Sequence, residues 1–208
     1  MIEPIGLRAM REKWGLFWLI TLVGSLAILA LWVSSPLVGE QEYRHMIRMS
    51  VRVSWPILCV VFMASAVTKL WPGQRSQWLM INRRYIGLSF SAVMLWQIFF
   101  IVCLLRSGAQ LFPPGIATLF IVSDILGYTL LLLMTVTSFS RFQIKISRLT
   151  WKRLHTFGLY YIWFIYFYSF PLGFYFSEKS YLKFQYSMFM VSAFVVLVVR
   201  IAGKIKAH

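Results

Sequence analysis

Residues 14–33 read WGLFWLITLVGSLAILALWV, twenty positions without a charge. As a helix rising about 1.5 Å per residue, such a stretch spans the hydrocarbon core of a bilayer, about 30 Å. In lipid the backbone must pair its own N–H and C=O groups, so a span of this kind is a helix. Arg8, Arg11 and Lys13 precede it, as they would in a secretory signal. The apolar stretch is longer than the roughly 7–15 residues of a signal core, and no small-x-small cleavage pattern follows, so the reading predicts an uncleaved helix.

Working outward, five further runs have the same character. They are Val53–Trp71, with Pro56 placed in its first turn, Tyr85–Leu105, Gly115–Phe139 opened by Pro113-Pro114, Leu154–Phe176 interrupted by Pro171 and Gly173, and Leu182–Ala202. Proline is tolerated in the first turn of a helix, and Pro-Pro is a helix-start signal. A barrel would need shorter segments of alternating polarity. The sequence therefore predicts an all-α membrane protein, a bundle of six transmembrane helices (14–33, 53–71, 85–105, 115–139, 154–176 and 182–202) forming a single integral membrane domain over 1–208.

Composition agrees. The chain is 60% hydrophobic and 13% charged, against about 45–50% and about 25% for soluble domains. A disordered segment, a collagen-like chain and an ordinary soluble domain are excluded, and no length is left for a separate catalytic domain.

The net charge of +15 falls in short connections between apolar runs. Membrane topology and anionic lipid headgroups explain it, and no nucleic-acid motif accompanies it. Taking the connections alternately, fifteen of the 21 Lys and Arg residues collect on the side of the two termini and six on the other. Both termini are then predicted to face the cytoplasm.

The two cysteines, Cys59 and Cys103, lie inside apolar runs with no metal-binding or haem-attachment spacing. They read as small apolar side chains rather than a disulfide. No phosphate-binding, dinucleotide-binding, nucleophile-elbow or H-E-x-x-H motif is present.

Few residues within the runs can carry chemistry. His155 follows Trp151-Lys152-Arg153-Leu154 at the mouth of the fifth run. It can ligate haem iron, or it can reach the interface and meet a lipid phosphate. His45, in the first outer loop, and His208, the last residue, read as solvated. Asp124 is the one carboxylate deep in a run, and a lone carboxylate there costs about 2.5–3.5 kcal/mol on insertion scales. It should face the bundle interior, as a proton relay, a partner for a buried cation, or a protonated acid bonded to a neighbouring hydroxyl. Gln97, beside Trp96, reads as an amide joining two helices. The rings of the fifth run, Tyr160 to Phe170, can line a quinone or haem pocket or simply pack.

Asn82-Arg83-Arg84-Tyr85-Ile86-Gly87-Leu88-Ser89-Phe90 and Trp151-Lys152-Arg153-Leu154-His155-Thr156-Phe157-Gly158-Leu159-Tyr160-Tyr161, with a weaker match at Thr137-Ser138-Phe139, together resemble the ferric-reductase-like transmembrane domain. That superfamily includes the haem-binding membrane subunit of the bacterial methionine-sulfoxide reductase system. The resemblance covers roughly residues 50–176. It implies b-type haem held by histidines of two helices, electron transfer across the bilayer, a redox partner, and the bacterial plasma membrane as location. The expected haem ligands fall on Gln97, His155 and Tyr168, and a further position used by two-haem relatives falls on Arg83. Only His155 retains an imidazole. Glutamine is a poor axial ligand, arginine stays protonated, and a phenolate is costly in an apolar site.

Two expectations follow. One is a redox protein with a single b-type haem on His155. The other is a haem-less accessory or binding subunit, with Asp124, Gln97 and the ring-rich helix around a cavity for lipid, quinone or another small apolar molecule.

Overall fold

Each long apolar run closes its hydrogen bonds within itself, and each becomes a helix. The computed structural model describes residues 5–111, 117–175 and 180–206, with side chains except at 5–13, 117, 140 and 143. The elements are α1 (Ile5–Val33), α2 (Glu40–Leu70), α3 (Gln74–Arg106), α4 (Ala117–Ser138), the single turn α5 (Ser140–Gln143), α6 (Arg148–Tyr175) and α7 (Ser180–Ile205). No strand occurs among the described residues. The Pro113-Pro114 start, Lys179 and His208 lie outside them, as do the side chains of Arg8, Arg11 and Lys13.

Five helices are long and apolar enough to cross a membrane, namely α1, α2, α3, α4 and α7. They support an integral membrane protein. At 28 residues α6 has the length, but its tyrosines, tryptophans and basic first turns lower its hydropathy.

The helices correct several sequence readings. α2 and α3 begin well before the apolar runs, at Glu40 and Gln74. Arg44, Arg48 and Arg52 therefore lie on a helix rather than in a loop. They repeat every four residues after Glu40 and form one polar stripe, while Met46, Ser50 and Ser54 are buried on another. Glu40 pairs with Arg44 at 2.8 Å. His45 is likewise on α2 and half-buried, not solvated in a loop.

Pro56 sits in the interior of α2, not in its first turn. Interior proline costs about 3 kcal/mol by removing a backbone bond. Nearby hydroxyls cluster on the same turns, with Ser54 donating to the Ser50 carbonyl at 2.8 Å. Pro171 and Gly173 do not interrupt the fifth run, since α6 continues through both to Tyr175. The space a Gly173 side chain would fill is taken by the Tyr186 ring.

The chain divides into two compact units, 1–58 with 82–120, and 59–81 with 121–208. In the first, α1 and α3 run parallel. Ser89 donates to the Phe17 carbonyl at 3.1 Å, Gly24 abuts Val93, and Trp96 Nε1 donates to Ser25 Oγ at 3.0 Å. Ile28, Met46, Val93 and Phe100 form the core, with Trp32 and Trp96 against it. Arg44, at the start of α2, donates to the Gln110 carbonyl just past α3. That places α2 antiparallel to α3.

In the second unit α6 runs antiparallel to α4 and to α7. Thr137 meets His155 while Ser123 meets Tyr168, and Phe170 stacks on Phe189 at 5.1 Å. The later half of α2 runs parallel to α7, pairing Phe62 with Arg200, Ala66 with Gly203 and Leu70 with Lys206. Ser147 caps α6, accepting from the Thr150 N–H at 3.1 Å.

Candidate functional site

Both α6 residues on which haem ligands were expected, His155 and Tyr168, lie on the face turned toward α4. That face also carries Gly158, Tyr161 and Ile165, at the three- and four-residue spacing of a helix stripe. Small residues bring the two helices together. A side chain at Gly127 would meet Ile165 Cδ1 at 2.6 Å, and one at Gly158 would meet Met134 Sδ at 2.7 Å. Close approach at glycine is the usual way membrane helices gain packing.

At one end of this seam, His155 Nε2 lies 3.1 Å from Thr137 Oγ1. Thr137 Oγ1 also donates to the Leu133 carbonyl at 2.7 Å. The imidazole is thus tied to α4 through one ring nitrogen. The imidazole packs on Trp151, ring centroids 4.3 Å apart, and Trp151 Nε1 donates to the Thr137 carbonyl at 3.1 Å. Thr137 and His155, which lie in separate stretches of the family resemblance, are thus in direct contact.

At the other end, Ser123 Oγ lies 3.2 Å from the phenol oxygens of both Tyr161 and Tyr168. Asp124 follows Ser123, is half-buried, and is an electrostatic neighbour of Tyr128 and Tyr168. It shares the α4 stripe with Gly127 and Leu131, so it faces the helix packing, as a lone carboxylate in a membrane run should. The result is a polar cluster of one carboxyl, one serine and three phenols on α4 and α6.

His155 and Tyr168 cannot both reach one haem iron. His155 and Tyr168 are thirteen positions apart on one helix, about 20 Å along its axis. Each is hydrogen-bonded across the seam to α4. Among the described residues no group of three or more His, Cys, Asp or Glu side chains gathers to hold a metal ion.

Gln97 belongs to the first unit and His155, Tyr168 and Asp124 to the second. The Gln97 Oε1 is buried without a hydrogen-bond partner, so the amide does not join two helices through that atom. Cys59 and Cys103 are both free thiols.

Sequence reading missed Arg200, which it counted only as a flanking topology charge. The residue is 7% exposed. Its signal was position, inside the last apolar run with no acidic residue near it in sequence. Scans against protein-family models, curated proteins and solved structures match this chain to none of them.

Proposed function

We propose that this chain is a six-span membrane subunit on a ferric-reductase-like scaffold that works without haem, as an accessory or binding component beside a membrane partner. The observation that carries the reading is the α4–α6 seam, where both candidate ligands on α6 are already bonded to α4. Asp124 with Ser123, Tyr161 and Tyr168 is the polar end of that seam. It suits the carbonyl or headgroup of a quinone- or lipid-type molecule, because the part-buried serine and phenol hydroxyls can turn their O–H groups from one another to a ligand oxygen.

An absorption spectrum of protein purified from haem-replete cells and reduced with dithionite is expected to lack a Soret band. A band that disappears in His155→Ala would restore the electron-transfer reading. Solvent extraction of the same preparation is expected to release a quinone or lipid whose yield falls several-fold in Asp124→Asn. Equal yields from both proteins would remove the site.

The sixth crossing is α6. Its antiparallel run against α4 and α7, and its length, support that assignment. With six crossings the basic ends of α2, α6 and α7 face the cytoplasm together with both termini, in a plasma membrane of the bacterial type. A reporter that fluoresces only in the cytoplasm is expected to be bright when fused to either terminus. Brightness at one end alone would leave an odd number of crossings.

A further inference from the structure

Arg200 lies on α7 one and a half turns before the helix ends, and its guanidinium is held against α2 and α6. Nη1 donates to the Phe62 carbonyl at 2.6 Å and to Ser65 Oγ. Cζ lies 5.1 Å from the Phe62 ring centroid and 5.6 Å from that of Tyr160. Lys204, one turn on, sets its Nζ 4.7 Å from the same Tyr160 ring. Two cations thus share one phenol.

A guanidinium has five N–H donors. Among the described residues no acceptor meets Nε, which is fully buried, and the Tyr160 hydroxyl is a hydrogen-bond partner of both Arg200 and Lys204. Of the six carboxylates in the chain, only Asp124 is among the described residues of this unit. Its neighbour Ser123 meets Tyr168, eight residues along α6 from Tyr160, or about 12 Å of axial rise. Burying a cation without a paired anion is expensive, and ring faces offset only part of the cost.

We propose that Arg200 and Lys204, on either side of Tyr160, form a binding site for a phosphate group, carried either on an anionic lipid or as free phosphate. The guanidinium and the ammonium set two positive charges beside one phenol, and a phosphate group supplies the anion that no described carboxylate supplies there. The site is separate from the α4–α6 seam and does not depend on whether haem binds there.

The test uses the full chain in a neutral maltoside detergent, titrated while its melting temperature is followed. Three additives are compared: phosphatidylglycerol in mixed micelles, phosphatidylcholine in mixed micelles, and inorganic phosphate. Saturable stabilisation by phosphatidylglycerol, at concentrations well below those needed for phosphatidylcholine, assigns a lipid source. Saturable stabilisation by inorganic phosphate assigns a free one. In either case Lys204→Gln is expected to raise the half-saturating concentration about tenfold, while Lys152→Gln, a change of equal charge at the same end of the unit, leaves it unaltered. Arg200→Gln is expected to abolish saturation, and Lys204→Gln, at an exposed position, decides the matter should that variant not fold. No saturable effect of any additive, or equal losses in the two lysine variants, overturns the proposal.

Discussion

Gly203→Ala is expected to destabilise the protein by about 3 kcal/mol, the upper end of the range for overpacking. A Cβ at this position would stand 2.5 Å from Ala66 Cβ and 2.6 Å from Ala66 Cα. Carbon atoms in contact rest about 3.5–4.0 Å apart, so α2 and α7 must separate by roughly 1 Å. Backbone opposes the new methyl, and no rotamer change relieves it. The shift also moves Arg200, one turn earlier, away from the Phe62 carbonyl. Gly158→Ala meets only the flexible thioether of Met134, and Gly15→Ala meets nothing within 4 Å. Their costs are expected to fall in that order, with Gly15→Ala within about 1 kcal/mol of the original protein. Thermal unfolding in detergent reads all three. A Gly203→Ala midpoint equal to that of Gly15→Ala would remove the α2–α7 contact.

Phe100→Ala is expected to cost about 3 kcal/mol. Its side chain is 0% exposed and packs edge-on against Trp32 at 5.3 Å and stacks on Trp96 at 6.1 Å. Truncating a buried phenylalanine costs about 3–5 kcal/mol in water-soluble proteins. Here the lower end applies. Lipid tails are as apolar as the core, so the loss is mainly packing rather than transfer from water. Leu95→Ala, at a site 62% exposed on the same helix, is expected to change stability by less than about 0.5 kcal/mol. Equal midpoints for the two variants would mean that residues 28, 46, 93 and 100 do not form a core.

Hydropathy alone made the helical class and the approximate spans legible, because a twenty-residue apolar stretch has few other solutions in lipid. The polar starts of α2 and α3 were hidden from that reading. Arg44, Arg48 and Arg52 interrupt the apolar composition, yet their four-residue spacing was a helix signal, visible to a search for period rather than for average. Pro56 and Pro171 misled in opposite ways, one read as a helix start and the other as a break. In membrane helices neighbouring hydroxyls and packed helices offset the lost backbone bond.

The inward placement of Asp124 followed from the cost of a carboxylate in lipid. The partners of His155 did not, because Thr137 lies eighteen residues away and only the antiparallel return of α6 brings it near. Arg200 was the least legible residue. A cation near a helix end normally reaches back to the headgroups, and nothing in its neighbours says that this one turns inward to a carbonyl 138 residues earlier.

The pairing of Phe62, Ala66 and Leu70 with the last helix also sets an order of assembly. At about 5–20 residues per second, a ribosome needs roughly 7–30 s to go from the first half of this contact to the second. Throughout that interval a growing polypeptide holds a finished helix face whose later partner is not yet made. Quality-control proteases therefore meet that face uncovered for the whole interval, and a premature stop codon just before Arg200 should be punished as severely as one much earlier.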